Sequence, residues 1–199
     1  MRELIITQNI TLDGVIDAAE GWFDPAGEEE VDQSDVIKVV REEMATTDAL
    51  LVGRVTFEQL RGYWPLQVDD VTGVRDHLNQ VDKYVLSGTL QDPGWERSTV
   101  LRGPLLEEVR ELKAQPGRGI VVTGSMSLMP ELVAGGVVDE YRLFVYPVVL
   151  GRGRRLFADA TSVPRLELAE TRPFRSGIVL LRYRAGGETL LNDDPSRRG

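Results

Sequence analysis

The sequence predicts an α/β fold with a central, mostly parallel sheet, helices on its faces and an antiparallel hairpin at the C-terminal end. Short apolar runs alternate with amphipathic stretches of helical period through most of the chain, the pattern of strands joined by crossover helices. The last two strand-like runs, Leu166 to Thr171 and Ile178 to Arg184, follow one another with no helix between them, so they read as antiparallel. No repeat, low-complexity tract or composition shift divides the 199 residues. One domain is expected over residues 1–184, with residues 185–199, rich in Gly, Asp, Arg and Ser, as a mobile tail.

The elements follow in order. Leu4 to Ile10 is a short, partly apolar strand. A polar stretch from Thr11 to about Gln33 holds Trp22, Phe23 and the acidic run Glu28-Glu29-Glu30, and a loop of that length inside a compact domain points to function. Val36, Val40 and Met44 recur at i+4 with Ile37 beside them, which predicts a helix from Ser34 to Met44 capped by Ser34. Ala49 to Val52 is a buried strand, and Val55 to Leu60 is helical. A helix over Val74 to Gln80 precedes the strand Lys83 to Ser87 and the turn Gln91-Asp92-Pro93-Gly94. Leu105, Val109 and Leu112 mark a helix stopped by Pro116-Gly117. Gly119 to Thr123 is a strand, and Gly124-Ser125 opens a helix running to about Ala134. Tyr141 to Val149 is a long apolar strand that turns at Gly151-Arg152-Gly153, and Pro173 separates the final pair of strands.

Composition narrows the function. Hydrophobic residues at 42% and charged residues at 28% are a globular balance, and a domain of ~150–200 residues buries roughly 70% of its unfolded surface without needing disulfides or metal. The absence of cysteine excludes thiolate catalysis and cysteine-ligated zinc, and the single histidine, His77, excludes a multi-histidine metal centre. No metal is expected, and His77 reads as a solvated helix residue. A net charge of -9 argues against nucleic acid as partner. No stretch reaches the ~20 apolar residues of a membrane span. The first residues run straight into a strand, so a cytoplasmic protein is expected.

Ligands of open α/β sheets sit at the carboxyl ends of strands, so the turns that follow the strands matter most. In Leu51-Val52-Gly53-Arg54-Val55-Thr56-Phe57-Glu58 a glycine precedes a helix N-terminus, with Arg54 and the Thr56 hydroxyl as further donors to an anion. The same pattern also suits a plain tight turn with an exposed arginine. Val122-Thr123-Gly124-Ser125-Met126-Ser127-Leu128 either cradles a pyrophosphate or uses Ser125 as a helix cap. In Val85-Leu86-Ser87-Gly88-Thr89-Leu90 the hydroxyls of Ser87 and Thr89 reach a ribose phosphate or adenine, or satisfy turn backbone. Taken together, these turns would line one sheet edge, where a long phosphorylated ligand fits.

At these residues the chain resembles the dihydrofolate reductase superfamily. The Gly53 to Glu58 segment is similar to the Gly-Arg-x-Thr-aromatic-Glu signature of dihydrofolate reductases. Thr11-Leu12-Asp13-Gly14-Val15-Ile16 resembles the Ser-Leu-Asp-Gly-x-Ile segment in the reductase domain of bacterial riboflavin biosynthesis. Lys83 to Leu90, Val137 to Leu143, Pro147 to Gly153 and Leu156-Phe157 extend the likeness, which spans roughly residues 2 to 184. The resemblance implies a dihydrofolate-reductase-like fold and a stand-alone reductase domain without the zinc deaminase unit. It implies NADPH along the strand ends, with Gly53, Arg54 and Thr56 at the 2′-phosphate or pyrophosphate, Ser87 and Thr89 at the adenosine end, and Thr123, Gly124, Ser125, Met126 and Ser127 at the pyrophosphate. Gly14 and Ile16, with the Asp13 loop, would border the nicotinamide. A homodimer is the expected assembly.

The chain also departs from the pattern. Dihydrofolate reductases carry paired glycines and then an aromatic residue, where this chain has Gly124-Ser125 and Leu128. Asp35 lies near the position of their helical carboxylate, although as a helix-start residue it serves the helix dipole more readily than catalysis. Asp13, Asp35 or a water is the expected proton donor. Trp22, Phe23, Tyr63 and Trp64 line a pocket for a flat ring or form core or dimer contacts. Arg152, Arg154 and Arg155 bind a substrate phosphate or sit at a solvated hairpin tip. The expected function is NADPH-dependent reduction of a pteridine- or pyrimidine-like heterocycle, similar to that of 5-amino-6-(5-phosphoribosylamino)uracil reductase or dihydrofolate reductase. The alternative is a non-catalytic NADPH- or small-ligand-binding homodimeric module.

Overall fold

The structure is a computed structural model, and it describes residues 1–17, 21–23, 32–157 and 165–186. The acidic run Glu28-Glu29-Glu30 and the tail beyond residue 186 lie outside the described residues. Eight strands form one sheet: β1 (Leu4–Thr11), β2 (Thr47–Gly53), β3 (Asp82–Leu86), β4 (Ser98–Leu101), β5 (Gly119–Val122), β6 (Glu140–Tyr146), β7 (Leu166–Pro173) and β8 (Val179–Ala185). Their order is β4-β3-β2-β5-β1-β6-β8-β7. β1 to β6 run parallel, and β8 and β7 add an antiparallel edge, as the alternating pattern implied.

The helices are α1 (Ser34–Met44), α2 (Arg54–Tyr63), α3 (Val74–Gln80), α4 (Leu105–Ala114) and α5 (Met129–Ala134), with a 3-10 turn over Trp64–Leu66. Chain direction decides which face each helix covers. From β1 to β2 to β3 the chain moves toward one edge of the sheet, and from β4 to β5 to β6 it moves back across it. Right-handed crossovers therefore put α1, α2 and α3 on one face and α4 and α5 on the other. Val109 and Leu112 of α4 and Leu132 of α5 share a core with Leu4, Ile6, Leu51 and Ile120.

The first face is covered unevenly. Val36 and Val39 of α1 pack on Phe144, Phe174, Ile178 and Leu180, over β6 and β8. Phe57, Trp64 and Leu78 pack on Leu50, Val52 and Val85, over β2 and β3. Between these two cores lies the surface of β1 and β5, where half-buried Thr7, Asn9, Val121 and Thr123 form the floor of a cleft. The polar residues within β1 alternate so that Thr7 and Asn9 face this cleft while Leu4, Ile6 and Ile10 enter the opposite core. The i+4 stripe of α1, Val36, Val40 and Met44, lines the cleft together with Ile37, and Val36 is also buried, as is Val39.

Several boundaries differ from the sequence expectation. β4 has no counterpart in the sequence expectation, because Ser98-Thr99-Val100-Leu101 is short and half polar, and its place at the sheet edge demands no buried alternation. α5 starts at Met129 and not at Gly124, because Gly124 has φ +63° and a turn closes from Ser125 to Leu128. β6 stops at Tyr146, before Pro147. Pro173 belongs to β7, where it is tolerated on an edge strand. Ser34 does not cap α1 with its side chain; its hydroxyl accepts from Arg175 Nη2 at 2.7 Å.

Candidate functional site

The turns after β2 and β5 are built as one unit. Leu51 pairs with Val122 across the two strands, so Gly53 and Gly124 leave the sheet side by side. The Gly53 N–H donates to Ser125 Oγ at 3.0 Å, and Ser125 is buried. Thr56 Oγ1 donates to the Gly124 carbonyl at 3.1 Å, and the Gly124 N–H donates to Gln8 Oε1 at 3.1 Å. A Cβ on Gly124 would meet Thr56 Cγ2 at 3.1 Å, and one on Gly53 would meet Ser127 Oγ at 3.3 Å. Gln8 was not singled out in the sequence, although a polar side chain amid the apolar run of β1 is the signal a buried acceptor leaves.

The α2 N-terminus opens beside these turns. Its first N–H groups lack intrahelical acceptors by geometry, and no side chain caps them. Arg54 stands there half-exposed with Nη1 on Glu58 Oε2 at 2.8 Å. β3 ends level with β2, Gly53 opposite Leu86, which brings Ser87 to the same edge. Ser87 Oγ accepts the N–H groups of Thr89 at 3.2 Å and Leu90 at 3.0 Å, and Arg102 donates to the Gly88 and Leu90 carbonyls at 3.1 and 2.9 Å. These hydroxyls tie turns together, and the α2 N-terminal amides and Arg54 are donors that stand beside them on this edge.

The cleft beyond this edge has a volume of about 1120 Å³, somewhat above the roughly 300–1,000 Å³ usual for small-molecule sites. Among the expected residues, Ile16, Thr56, Thr123, Gly124 and Met126 line it. Gly14, Gly53, Arg54, Ser87, Thr89, Ser125 and Ser127 do not; Gly14 lies in the loop after β1, and the others lie along or behind the strand-end turns. Trp22 and Phe23 form a cluster with Tyr146, with ring centroids 5.3 Å (Trp22–Tyr146) and 5.7 Å (Phe23–Tyr146) apart. Tyr63 and Trp64 stand edge to face at 5.2 Å. All of these rings line the cleft, and Trp64 is also part of the α2–α3 core.

The two carboxylates expected to donate a proton lie elsewhere. Asp13 accepts from Thr11 Oγ1 at 2.6 Å, the Gly151 N–H at 2.8 Å and the Leu150 N–H at 3.3 Å. The Thr11 hydroxyl, with these amides, lowers its pKa to about 2. Gly14, at φ +83°, lets the chain turn there, and Arg155 Nε donates to the Asp13 carbonyl at 2.9 Å. Asp13 is thus a fixed anion that closes the loop between β1 and residues 150–155. Asp35 accepts from the Arg175 N–H at 3.0 Å and Nε at 3.3 Å, and the first of these bonds most strongly lowers its pKa. Neither residue is among those that line the cleft, and each anchors a loop through its acceptor bonds. Ionised acceptors saturated with donors stabilise loops and hold no proton near neutral pH.

Apart from Tyr63 and Tyr146, the ionisable residues that do line the cleft, among those described, are Asp17, Glu43, His77 and Arg142. Arg142 is nearly fully buried, pairs with Glu43 and has Nε on Glu140 Oε1 at 2.5 Å; Arg182 joins Glu140 at 2.9 Å and Glu170 at 3.0 Å. Burial pushes the Glu43 carboxyl up even against the nearby guanidinium groups. His77 is half-buried on the cleft wall, correcting the solvated reading, and burial lowers its pKa. A lone histidine on a short helix carries no sequence signal for this, because only the approach of α3 to the cleft covers it.

The parallel sheet, the linked turns after β2 and β5 and the cleft between two helix-covered regions define an α/β domain with a dihydrofolate-reductase-like fold. The chain matches the family described as the RibD C-terminal domain over residues 2–180, and it belongs to that family. It is 33% identical over 193 residues to the uncharacterised protein YyaP of Bacillus subtilis, covering 94% of this chain and 96% of that one. A putative riboflavin biosynthesis protein from Shewanella sp. PV-4 superposes with a TM-score of 0.66 at 20% identity, over 93% of this chain and 99% of that one. Dihydrofolate reductase from Enterococcus faecalis, solved with NADP(H), gives a TM-score of 0.57 at 17% identity over 93% and 97% of the two chains. Among the described residues no helix is long and apolar enough to cross a membrane, and no cluster of metal-ligating side chains occurs.

Proposed function

We propose that this protein is an NADPH-dependent reductase acting on a pteridine- or pyrimidine-like heterocycle. The observation that carries the reading is the joined pair of turns at Gly53 and Gly124, which opens on one side to the α2 N-terminus and on the other to the cleft. Close glycine backbone beside uncapped helix amides suits a pyrophosphate, and an added Cβ at either glycine would crowd the neighbouring turn, meeting Ser127 or Thr56. Family membership and the NADP(H) in the Enterococcus faecalis enzyme support the same assignment.

In this reading the α2 amides and Arg54 hold phosphate, the Ser87 turn holds the adenosine end, and Ile16, Thr123, Gly124 and Met126 border the reactive ring. Arg54 would leave Glu58 to do so, an exposed pair worth little to stability. The cofactor supplies hydride, and the protein supplies orientation and exclusion of water. The accompanying proton comes from water in the cleft, since Asp13 and Asp35 are committed elsewhere. Ser125 takes the place of a second glycine without obstruction, because its hydroxyl is turned to the Gly53 amide.

The test is NADPH absorbance against a panel of pterins and aminopyrimidines, alongside calorimetry of NADPH binding. Substrate-dependent loss of absorbance, together with weaker binding by Arg54→Ala, is expected. Binding without turnover on any member would favour the non-catalytic module. No binding, with Arg54→Ala equal to the parent, would remove the dinucleotide reading. A homodimer is part of the proposal, and a monomer mass in light scattering would refute that part.

A further inference from the structure

The residues of β1 break the usual pattern for its place in the sheet. It runs between β5 and β6, parallel to both. Strands so placed are commonly continuous runs of Val, Ile and Leu. Here Leu4-Ile5-Ile6 gives way to Thr7-Gln8-Asn9. Gln8 is accounted for, because its Oε1 accepts the Gly124 N–H at 3.1 Å. So is Thr11, whose hydroxyl donates to Asp13 at 2.6 Å and accepts the Val15 N–H at 2.9 Å. Thr7 and Asn9 are different. Both are half-buried on the cleft floor, and among the described residues neither side chain has a hydrogen-bond partner.

Asparagine is depleted in strands, and amides taken out of water normally find partners inside the protein. A floor that had only to be wetted would be served by threonine, which strands favour. A residue that breaks such local rules without an internal gain marks a place where function is expected. The neighbours of Asn9 agree with this. Asn9 pairs with Phe144 on β6, and Thr7 pairs with Arg142. Thr123 follows Val122, which pairs with Ile6, so Thr123 stands beside Thr7 and leads into the Gly124 turn.

A carboxamide sets an acceptor oxygen beside two N–H donors. It makes two bonds at once with a ring edge on which a donor adjoins an acceptor, as Asn and Gln do with adenine. The Thr7 and Thr123 hydroxyls both donate and accept, so they suit whichever polar atoms the ring carries next to that edge. We propose that Asn9 reads the lactam edge of the substrate ring, an N–H adjoining a carbonyl. It thereby selects a pyrimidinone-type heterocycle over one whose ring nitrogens are substituted. The proposal rests on the reductase reading for the identity of the site and adds the residue that sets its specificity.

Calorimetry on the full chain, with and without NADPH, would compare 5,6-diaminouracil with its 1,3-dimethyl derivative, which lacks both ring N–H groups. The N–H compound is expected to bind about tenfold more tightly, the worth of one or two hydrogen bonds. Asn9→Leu should close most of that gap, whereas a gap caused by methyl bulk would survive it. Asn9→Thr, which suits a strand but offers a single hydroxyl, should narrow the gap as well. Neither variant should lower the urea midpoint of unfolding, because Asn9 holds no other part of the described chain. Equal binding of the two compounds by the parent overturns the proposal, as does binding of neither. A gap unchanged in both variants, or a lower midpoint in both, overturns it too. NADPH consumption with the same pair tests the reductase reading separately. An Asn9-dependent gap without consumption would keep the proposal and remove the reductase. Consumption at equal rates for the two compounds would do the reverse.

Discussion

Ser125 Oγ accepts the N–H of Gly53 at 3.0 Å, across 72 residues of sequence. This bond joins the turns after β2 and β5, so the two segments expected to hold one ligand are held by each other first. The hydroxyl is buried, and its loss leaves the Gly53 amide without a partner.

Ser125→Ala is therefore expected to lower unfolding free energy by roughly 1–3 kcal/mol, the cost of a buried unsatisfied amide. Ser127→Ala, two residues on and exposed, should change it by less than about 0.5 kcal/mol. Urea titration of both variants measures the contrast, and equal midpoints would contradict it.

Gly124→Ala tests the backbone. Its φ of +63° disfavours any side chain by roughly 1–2 kcal/mol. The new methyl would also press on Thr56 Cγ2 at 3.1 Å, displacing the residue that holds the turn. Stability should fall by about that amount, and NADPH affinity measured by calorimetry should fall at least tenfold. Unchanged affinity in a destabilised protein would mean that the turn does not meet the ligand.

Lys83 gives a pH dependence at the alkaline end. Its side chain is fully buried in β3, with Nζ donating to the Leu78 and Val81 carbonyls at 2.7 and 3.0 Å and lying 4.8 Å from the Trp95 ring centre. Burial lowers its pKa from 10.5 to about 8. Between those values the unfolded chain holds the proton more firmly than the folded one, so stability from this group rises with pH. Below about 8 both states are protonated and the cost of burying the ammonium is present in full. Relative to Lys83→Met, the parent should gain about 2 kcal/mol between pH 7 and 9.5. A constant difference in urea midpoints would refute this.

Glu140 acts at the acid end with the opposite sign. Burial opposes its ionisation, but the hydrogen bond and charge of Arg142, joined by Arg182, outweigh it and hold the carboxyl below 4.5. Its stabilisation is present above 4.5 and lost as pH falls through the folded value. Glu140→Gln leaves Arg142 and Arg182 short of a counter-charge and should cost about 3–5 kcal/mol at pH 7, with a shallower acid-unfolding profile. A steep acid transition matching the parent's would place the sensitivity elsewhere.

The sequence by itself determined the α/β class, the antiparallel end and the strand-end turns. Those depend on local periodicity and on small residues at fixed offsets, and both survive in a linear chain. Trp22, Phe23, Tyr63 and Trp64 were legible as aromatic residues with a pocket among their fates; all four line the cleft, and Trp64 also belongs to the core. Gln8, Glu43 and Arg142 were not legible, because a polar residue in a strand or helix shows its partner only after crossover places another element against it. The surroundings of Asp13 and Asp35 were hidden for the same reason. Their chemistry suits proton transfer, but Gly151 and Arg175, each more than a hundred residues away, fill their acceptor positions and fix them as anions. Tertiary structure alone decided which carboxylates face the cleft, since α1 covers β6 and β8, α2 and α3 cover β2 and β3, and the floor between them stays open.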